Sequence, residues 1–409
     1  MHVIFLSLDY PADGSGGGVG TYTRTVARAL VRQGCRVSVI VLRSPGGPDF
    51  WQDGGVRVHA FRQGNLHWYL SRIPLLGRRV ALPVRELERS WRGWRLLRGI
   101  HAREAADVVE ITETAGFFTA LFMKSVPVVG RLHGELFTFH QYTPDIPLTL
   151  GVRLSRILQR AALRRCRCLV SPSRAHAEEI RKELGRHCPP VEVLPPPIEV
   201  NETAEEVVPS RFPFPGDVPC VLFVGRLERC KGVPLLLEAA RRVLREIPET
   251  RFVLAGADHP TLTREALDGM MAERNLKGHV HIAGHLPRSR LFAWFKRAWL
   301  CVLPSYYETF GIAAAEAMAH GLPVVATDAG GLSEIVEDGV TGIVVPPGDA
   351  PALSKAICRL LRDAGLRDRM GEAGRSRFGR NYDVERVVKR TLEVYRGVVT
   401  GDGIPATFR

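Results

Sequence analysis

A chain of 409 residues is too long for one ordinary hydrophobic core and predicts two domains. Its 45% apolar and 24% charged residues are a globular composition, which excludes a disordered or fibrous chain, and no apolar run approaches the roughly 18 residues of a membrane helix. The formal charge of +13 is lopsided: residues 1–198 hold 28 basic and 16 acidic side chains, net +12, against 28 and 27 in residues 199–409. Arginine outnumbers lysine 49 to 7, but exchanging one for the other adds no charge, so the basic first half calls for an acidic partner.

The chain opens on a strand, "HVIFLSL", and the polar "DYPADGSGGG" follows at once, so no signal peptide is expected. After the glycine-rich loop comes a helix, "VGTYTRTVARALVRQG", with apolar residues at helical spacing and a stop at Gly34. Strand "RVSVIVL" completes a β-loop-α-β unit, which implies parallel strands and a Rossmann-like half. Further strands are predicted at "DVVEIT", "PVVGRLH" and "CLVSPS". The proline-rich "PPVEVLPPPIEV" then reads as a linker between domains.

The second half repeats the architecture without repeating the sequence. "CVLFVGRL" is a strand, "GVPLLLEAARRVLREI" a helix and "RFVLAGA" a strand. "VHIAGHL" and "LCVLPS" follow as strands, with the helix "SRLFAWFKRA" between them. "PVVAT" and "TGIVVPP" come after a helix that carries Glu316. The expected domains are residues 1–195 and 200–380, with a final helix over 383–399 that returns to the first. Ligands of parallel α/β sheets sit at the strands' C-terminal ends, here in a cleft between the two domains. The eight cysteines are scattered without a C-x-x-C pair, and Cys166 and Cys168 are too close for usual zinc spacing, so free cytosolic thiols are expected.

Three stretches carry chemistry. In "GSGGGVG", Gly14–Gly20, glycines between a strand and a helix let backbone N–H groups approach phosphate, although such a loop is also found as a plain tight turn. There is no G-x-G-x-x-G register, because Val19 stands five after Gly14, and strand two ends without an acid for an adenosine ribose. A nicotinamide or flavin enzyme is therefore disfavoured. In "GRLERCKG", Arg226 and Lys231 follow a strand across a turn, where two cations suit a diphosphate if they are more than solvated surface charges. It is not a P-loop, since Cys230 takes the place of the second glycine.

In "SYYETFGIAAAEAMAHG", Glu308 and Glu316 stand eight residues apart. On one regular helix they would point about 80° apart. If the helix begins only after Gly311, Glu308 belongs to the loop and Glu316 to the second helical turn. Phe310, Gly311 and Ile312 then lie at a helix start able to meet an anion. Two carboxylates there could each take pairs of sugar hydroxyls, or be a cap and a buried structural acid.

The segment from Pro304 to Asp349 resembles the E-x-x-x-x-x-x-x-E signature of GT-B glycosyltransferases of family 4, a retaining group. "GRLERCKGVPLLLEA" resembles that family's phosphate-binding segment, "GGGVGTYTRTVARAL" its N-terminal glycine loop and "RLHG" its cleft histidine motif. The resemblance covers most of the chain and is weakest between residues 45 and 125. It implies a GT-B fold, two Rossmann-like domains with parallel sheets facing a central cleft, and a hexosyl transfer from a nucleotide-sugar, with a UDP-sugar as the expected donor. It implies that Arg226 and Lys231 neutralise the diphosphate and that Glu316 holds the ribose. Glu308 and the Phe310-Gly311-Ile312 backbone would hold the donor sugar and phosphate, and Leu286 would meet the base. Gly17 and Gly18 would approach the diphosphate, and His133 would lie by the anomeric carbon. Thr309 departs from the family's usual Gly, Ser or Pro and bears on which sugar is moved.

No two aspartates lie two apart, so there is no D-x-D metal clamp, and no obligatory metal and no cofactor are expected beyond the nucleotide-sugar co-substrate. Other GT-B enzymes, an epimerase or a phosphorylase, and a non-catalytic sugar-nucleotide-binding protein are the competing classes. Nucleic acid is not an expected partner, since no recognised motif is present. The acceptor is unidentified, with an anionic or lipid-linked molecule favoured by the charge. Residues 62–103 hold ten arginines against Glu86 and Glu88, interleaved with Trp68, Tyr69, Trp91 and Trp94. Arg153, Arg156, Arg160 and Arg164 recur at helical spacing. Both runs predict peripheral contact with an anionic inner-membrane face from the cytoplasm, against the plainer expectation of solvated helices with buried tryptophans.

Overall fold

The computed structural model describes residues 1–11, 18–73, 77–134, 148–200, 214 and 218–401. Two compact units divide the chain: residues 1–197 with the stretch that begins at Val384, and residues 198–383.

The first unit is built on strands β1 (His2–Leu6), β2 (Arg36–Leu42), β3 (Phe50–Asp53), β4 (Val56–Phe61), β5 (Val108–Thr112), β6 (Val128–Arg131), β7 (Cys168–Ser171) and β8 (Val191–Val193). They form one sheet in the order β3-β4-β2-β1-β5-β6-β7-β8, parallel throughout except for the antiparallel β3–β4 pair. β1 is buried along its whole length, and its alternate residues serve opposite faces. Val3 and Phe5 join the helix Gly18–Arg32 and the C-terminal helix Val384–Thr400, which adds Val387, Val388, Leu392, Val394, Tyr395 and Val398 to that core. Ile4 and Leu6 pack with Leu97 and Ile100 of the long helix Gly77–Arg103 and with Ala162 and Leu163 of the helix Leu150–Leu163.

Two elements depart from the sequence reading. β3 and β4 form a hairpin across Gly54 and Gly55, whose φ angles of 56° and 86° are those of a two-residue turn that favours glycine at both places. The proline-rich stretch expected as a linker contains β8, which pairs with β7 through Leu169↔Val191. Prolines beside an edge strand cost little, because the outer N–H groups have no ladder partner.

The second unit holds β9 (Cys220–Val224), β10 (Arg251–Ala255), β11 (Val280–Gly284), β12 (Leu300–Leu303), β13 (Val324–Thr327) and β14 (Gly342–Val345). Their order is β11-β10-β9-β12-β13-β14, all parallel. Helices Val233–Glu246 and Ala350–Arg362 cover one face, while Ile312–Ala319 and Arg288–Arg297 contribute to the core of the other. Each sheet reverses its winding once, between β1 and β5 and between β9 and β12. At such a switch point the loops leaving neighbouring strands part and leave room for a ligand. Among the described residues no helix is long and apolar enough to cross a membrane.

Candidate functional site

In the second unit the loops after β9 and β12 flank the switch point and touch at one seam. The β9 loop runs from Gly225 through a 3-10 turn, Arg229–Lys231, to Gly232, the N-cap of the helix Val233–Glu246. Gly232 has φ 71°, and a Cβ there would stand 1.8 Å from the Pro304 carbonyl oxygen of the β12 loop. Only glycine permits that approach. The Tyr306 N–H donates to the Cys230 carbonyl at 2.8 Å and closes the seam between the two loops.

The seam joins Lys231 to Glu308. Lys231 Nζ lies 2.6 Å from Glu308 Oε1, with both side chains largely buried. The Glu308 carbonyl accepts the Gly331 N–H at 2.8 Å, and a Cβ on Gly330 would come 2.2 Å from that same oxygen. The pair Gly330-Gly331, beyond β13, therefore clamps the backbone of the Glu308 turn. The helix begins at Ile312, after Gly311 with φ 111°, so Glu308 lies in the loop and Glu316 in the second helical turn. A helix start turns its first N–H groups outward, towards partners beyond the helix. Phe310 itself is buried against Tyr382, with ring centroids 5.5 Å apart, so only its backbone can serve a ligand.

Glu316 does not share the Lys231 charge. Its Oε1 lies 2.6 Å from Arg288 Nη2, at the start of the helix Arg288–Arg297. Burial pushes the Glu316 carboxyl up from its ordinary range, and the Arg288 cation draws it part of the way back. The two acids eight residues apart thus serve two separate ion pairs. Leu286, two residues beyond β11, packs a half-buried side chain on the core beneath them. Arg226 is exposed and pairs at 3.0 Å with the buried Glu228, which His259 also approaches at 3.5 Å.

Gly18 and His133 belong to the first unit. Gly18 opens the helix Gly18–Arg32, and Gly17 lies outside the described residues. His133 follows β6 and meets the Tyr22 ring edge-on at 4.9 Å. Burial holds its imidazole down to about 3, helped by the positive charge of Arg131 and by His176. Tyr22 and Arg131 are in turn fixed by Glu110, which accepts from the Tyr22 hydroxyl at 2.8 Å and lies 3.5 Å from Arg131 Nε. Tyr395, from the C-terminal helix, donates to Glu110 at 2.6 Å.

A family model described as glycosyltransferase family 4 matches residues 16–202, and one for glycosyl transferases group 1 matches residues 205–377. Together they account for nearly the whole chain, domain by domain. This chain belongs to the GT-B glycosyltransferases of family 4. It is an enzyme, and its co-substrate is a nucleotide-sugar. The D-inositol 3-phosphate glycosyltransferase of Xylanimonas cellulosilytica is 29% identical over 411 residues, covering 95% of this chain and 93% of that one. Among solved structures, sucrose-phosphate synthase from Thermosynechococcus elongatus has a TM-score of 0.80 at 24% identity, covering 98% of this chain and 99% of that one. The Anabaena protein HepE, crystallised with UDP and glucose, has a TM-score of 0.73 at 19% identity, covering 97% of this chain and 100% of that one.

Within this glycosyltransferase the structure brings Lys231, Glu308, Gly311 and Ile312 to one loop cluster and sets Glu316 about one helical turn beyond Ile312. Three charged partners escaped the sequence reading. Arg288 and Glu228 carry the second and third ion pairs of the second unit's site, and Glu110 organises the surroundings of His133. Glu228 stood inside the motif "GRLERCKG", between the two cations. Arg288 is 28 residues from Glu316 and Glu110 is 21 from Arg131, so no local spacing marked them.

The four arginines that recur from Arg153 to Arg164 do not share one environment. Arg156 and Arg160 reach Glu183 on the neighbouring helix, and Arg164 Nη2 donates to the Leu184 carbonyl at 3.0 Å. Arg156 and Arg160 thus tie two helices together, because a carboxylate within reach satisfies their guanidinium groups locally, while Arg153 and Arg164 stay exposed.

Proposed function

We propose that the enzyme is a retaining, metal-independent transferase that moves a sugar from a UDP-sugar to an anionic or lipid-linked acceptor. The observation that carries this reading is the pair of carboxylates, Glu316 buried and Glu308 partly buried, each held at 2.6 Å by its own cation, at the switch point of the second sheet. A diphosphate displaces Glu308 from Lys231, and the released carboxylate then takes hydroxyls of the donor sugar. Glu316 keeps Arg288 on one oxygen and offers the other to the ribose. Arg226 adds a second cation for the phosphates, and the helix start at Gly311-Ile312 adds its N–H groups. The bound UDP of HepE supports uracil as the base.

In the transfer, the bond between the anomeric carbon and the phosphate oxygen breaks and its electron pair leaves with UDP. The acceptor oxygen forms the new bond on the same face, and its proton passes to the departing diphosphate. Lys231 and Arg226 stabilise the charge that grows on that diphosphate, the role a metal plays elsewhere. His133, neutral at physiological pH, offers a polar contact beside the reacting carbon without adding a second positive charge there. The basic first unit meets its acceptor in peripheral contact with an anionic membrane face in the cytoplasm.

The test is incubation with UDP-sugars and an acceptor extract, with the product's anomeric configuration read by NMR. Transfer with retained configuration that survives EDTA is expected. An inverted product, or complete loss of activity that Mg²⁺ or Mn²⁺ restores, would overturn the mechanism.

A further inference from the structure

Exposed apolar bulk is distributed as unevenly as charge. Among the described residues every exposed Trp, Tyr or Phe except Tyr306 belongs to the first unit: Phe50, Trp68, Tyr69, Trp91 and Phe122. Two groups of them sit on or beside the long helix Gly77–Arg103. The first is a continuous ring cluster. Trp91 lies 5.0 Å from Trp94 and 5.3 Å from Phe118, and Trp94 lies 5.8 Å from Phe122. The cluster is held in place, because the Phe118 N–H donates to Ser90 Oγ at 2.8 Å and pins the short helix Phe117–Phe122 to the long one. Yet Trp91 remains 43% exposed and Phe122 55%.

The second group is the helix Leu66–Ser71. It contains no buried residue at all, although it carries Leu66, Trp68 and Tyr69 and is followed by Ile73. Trp68 is 45% exposed and Tyr69 62%. A helix that short has no intrinsic stability in water, so its unburied apolar side chains call for a partner.

The charge around both groups is predominantly positive. Trp91, Trp94, Arg95 and Arg98 share one stripe of the long helix by their spacing, with the Arg98 guanidinium 5.0 Å from the centre of the Trp94 ring. Lys124 follows Phe122, and Arg72 lies 3.7 Å over Trp68. The two acids of the region already have partners: Glu88 approaches His67 of the helix Leu66–Ser71 and Arg92, and Glu86 accepts from Gln159. A second copy of this chain would set Arg95, Arg98 and Lys124 against their own images, so self-association is disfavoured by like charge.

We infer that the aromatic face formed by Trp91, Trp94 and Phe122, together with the helix Leu66–Ser71 and the cations Arg72, Arg95, Arg98 and Lys124, docks on a bilayer containing anionic phospholipid. Indole and phenyl rings enter the headgroup boundary, and the arginines remain at the phosphates. This rests on the membrane contact proposed above and assigns it to one surface. That surface excludes Arg156 and Arg160 of the Leu150–Leu163 helix, which reach Glu183.

The experiment is co-sedimentation of the full chain with vesicles of phosphatidylcholine alone or mixed with phosphatidylglycerol, at low and high salt. Tryptophan quenching by brominated lipid is read in parallel. The variants are Trp91→Ser/Phe122→Ser, Trp68→Ser/Tyr69→Ser and Arg95→Gln/Arg98→Gln. Wild type is expected to bind only the anionic vesicles, to be quenched there, and to be released by salt. The arginine pair should lose roughly 25-fold in partition, about fivefold for each cation. Each aromatic pair should lose about tenfold or more. Each variant should keep the wild-type melting temperature and its rise on adding UDP. Wild type that binds neither vesicle overturns the membrane contact itself. Wild type that binds while all three variants bind equally, or while no tryptophan is quenched, overturns this surface alone. An aromatic pair that changes the oligomeric state in solution overturns it in favour of a second copy.

Discussion

Lys231 and Glu308 form a 2.6 Å pair, and the two side chains are expected to fail differently when changed. Lys231→Ala removes a charge that stabilises the leaving diphosphate and should lower kcat by about 10²–10³. Glu308→Gln leaves Lys231 free for phosphate, so UDP should bind as well or better while turnover falls. Steady-state kinetics beside calorimetric UDP binding separates the two, and parallel losses in both variants would refute the division of roles. Arg288→Ala tests the other pair. It strands a buried carboxylate and should cost roughly 2–3 kcal/mol, somewhat less than a fully buried pair because the Arg288 head keeps some water. Adding Glu316→Gln should restore much of the melting temperature without restoring activity. His133 gives a pH signature. Its proton affinity falls from 6.5 to about 3 on folding, so the unfolded chain binds the extra proton between those values. The native state therefore holds this contribution fully above about pH 6.5 and loses it as pH falls towards 3. His133→Gln should flatten that part of the curve of melting temperature against pH, and an unchanged curve would contradict the partly buried, neutral imidazole.

At the level of elements, the turn at Gly232 is the most exacting, since its φ of 71° and its 1.8 Å clearance to Pro304 leave no room for a Cβ. Gly232→Ala should cost about 1–2 kcal/mol from the backbone alone. It should also raise KM for the donor by moving Lys231 off Glu308, and a variant with wild-type KM would show that the seam does not position the phosphates. The seam also shows what was legible beforehand. Strands such as "VSVIVL" and "CVLFV" announce themselves, because a sheet covered on both faces needs unbroken apolar runs. The break between the Glu308 loop and the Glu316 helix was readable from Gly311, whose φ of 111° few other residues tolerate. The β3–β4 hairpin was missed although Asp53-Gly54-Gly55 marks a tight turn, because strand β3, "FWQD", is only four residues long. β8 was hidden in a proline run, where edge pairing is decided by the neighbouring strand and not by local preference. The partners Arg288, Glu228 and Glu110 were beyond reach for another reason. An ion pair across a fold leaves no periodic trace, and the Tyr395–Glu110 bond spans 285 residues.

On the scale of the whole molecule, the two units differ in how the chain supplies them. The second takes residues 198–383 without interruption, with all six strands of its sheet. The first needs the helix Val384–Thr400, whose six buried apolar side chains from Val387 to Val398 complete the core over the Gly18–Arg32 helix. At about 1.5–3 kcal/mol each, those side chains contribute on the order of 9–18 kcal/mol, as much as the net stability of a typical domain. Residues 198–383 expressed alone should therefore unfold cooperatively on heating. Residues 1–197 alone should be degraded rapidly by a protease, and recovery on adding a peptide of the last helix is the expected control. A protease-resistant 1–197 fragment would mean that the last helix is dispensable. The same discontinuity orders events on the ribosome. About 190 residues separate the last strand of the first unit from the helix that finishes it, which at about 5–20 residues per second takes on the order of 10–40 s. During that interval the downstream unit can fold while the upstream one waits with an open apolar face, so the nascent chain is a natural client for a chaperone at its N-terminal end.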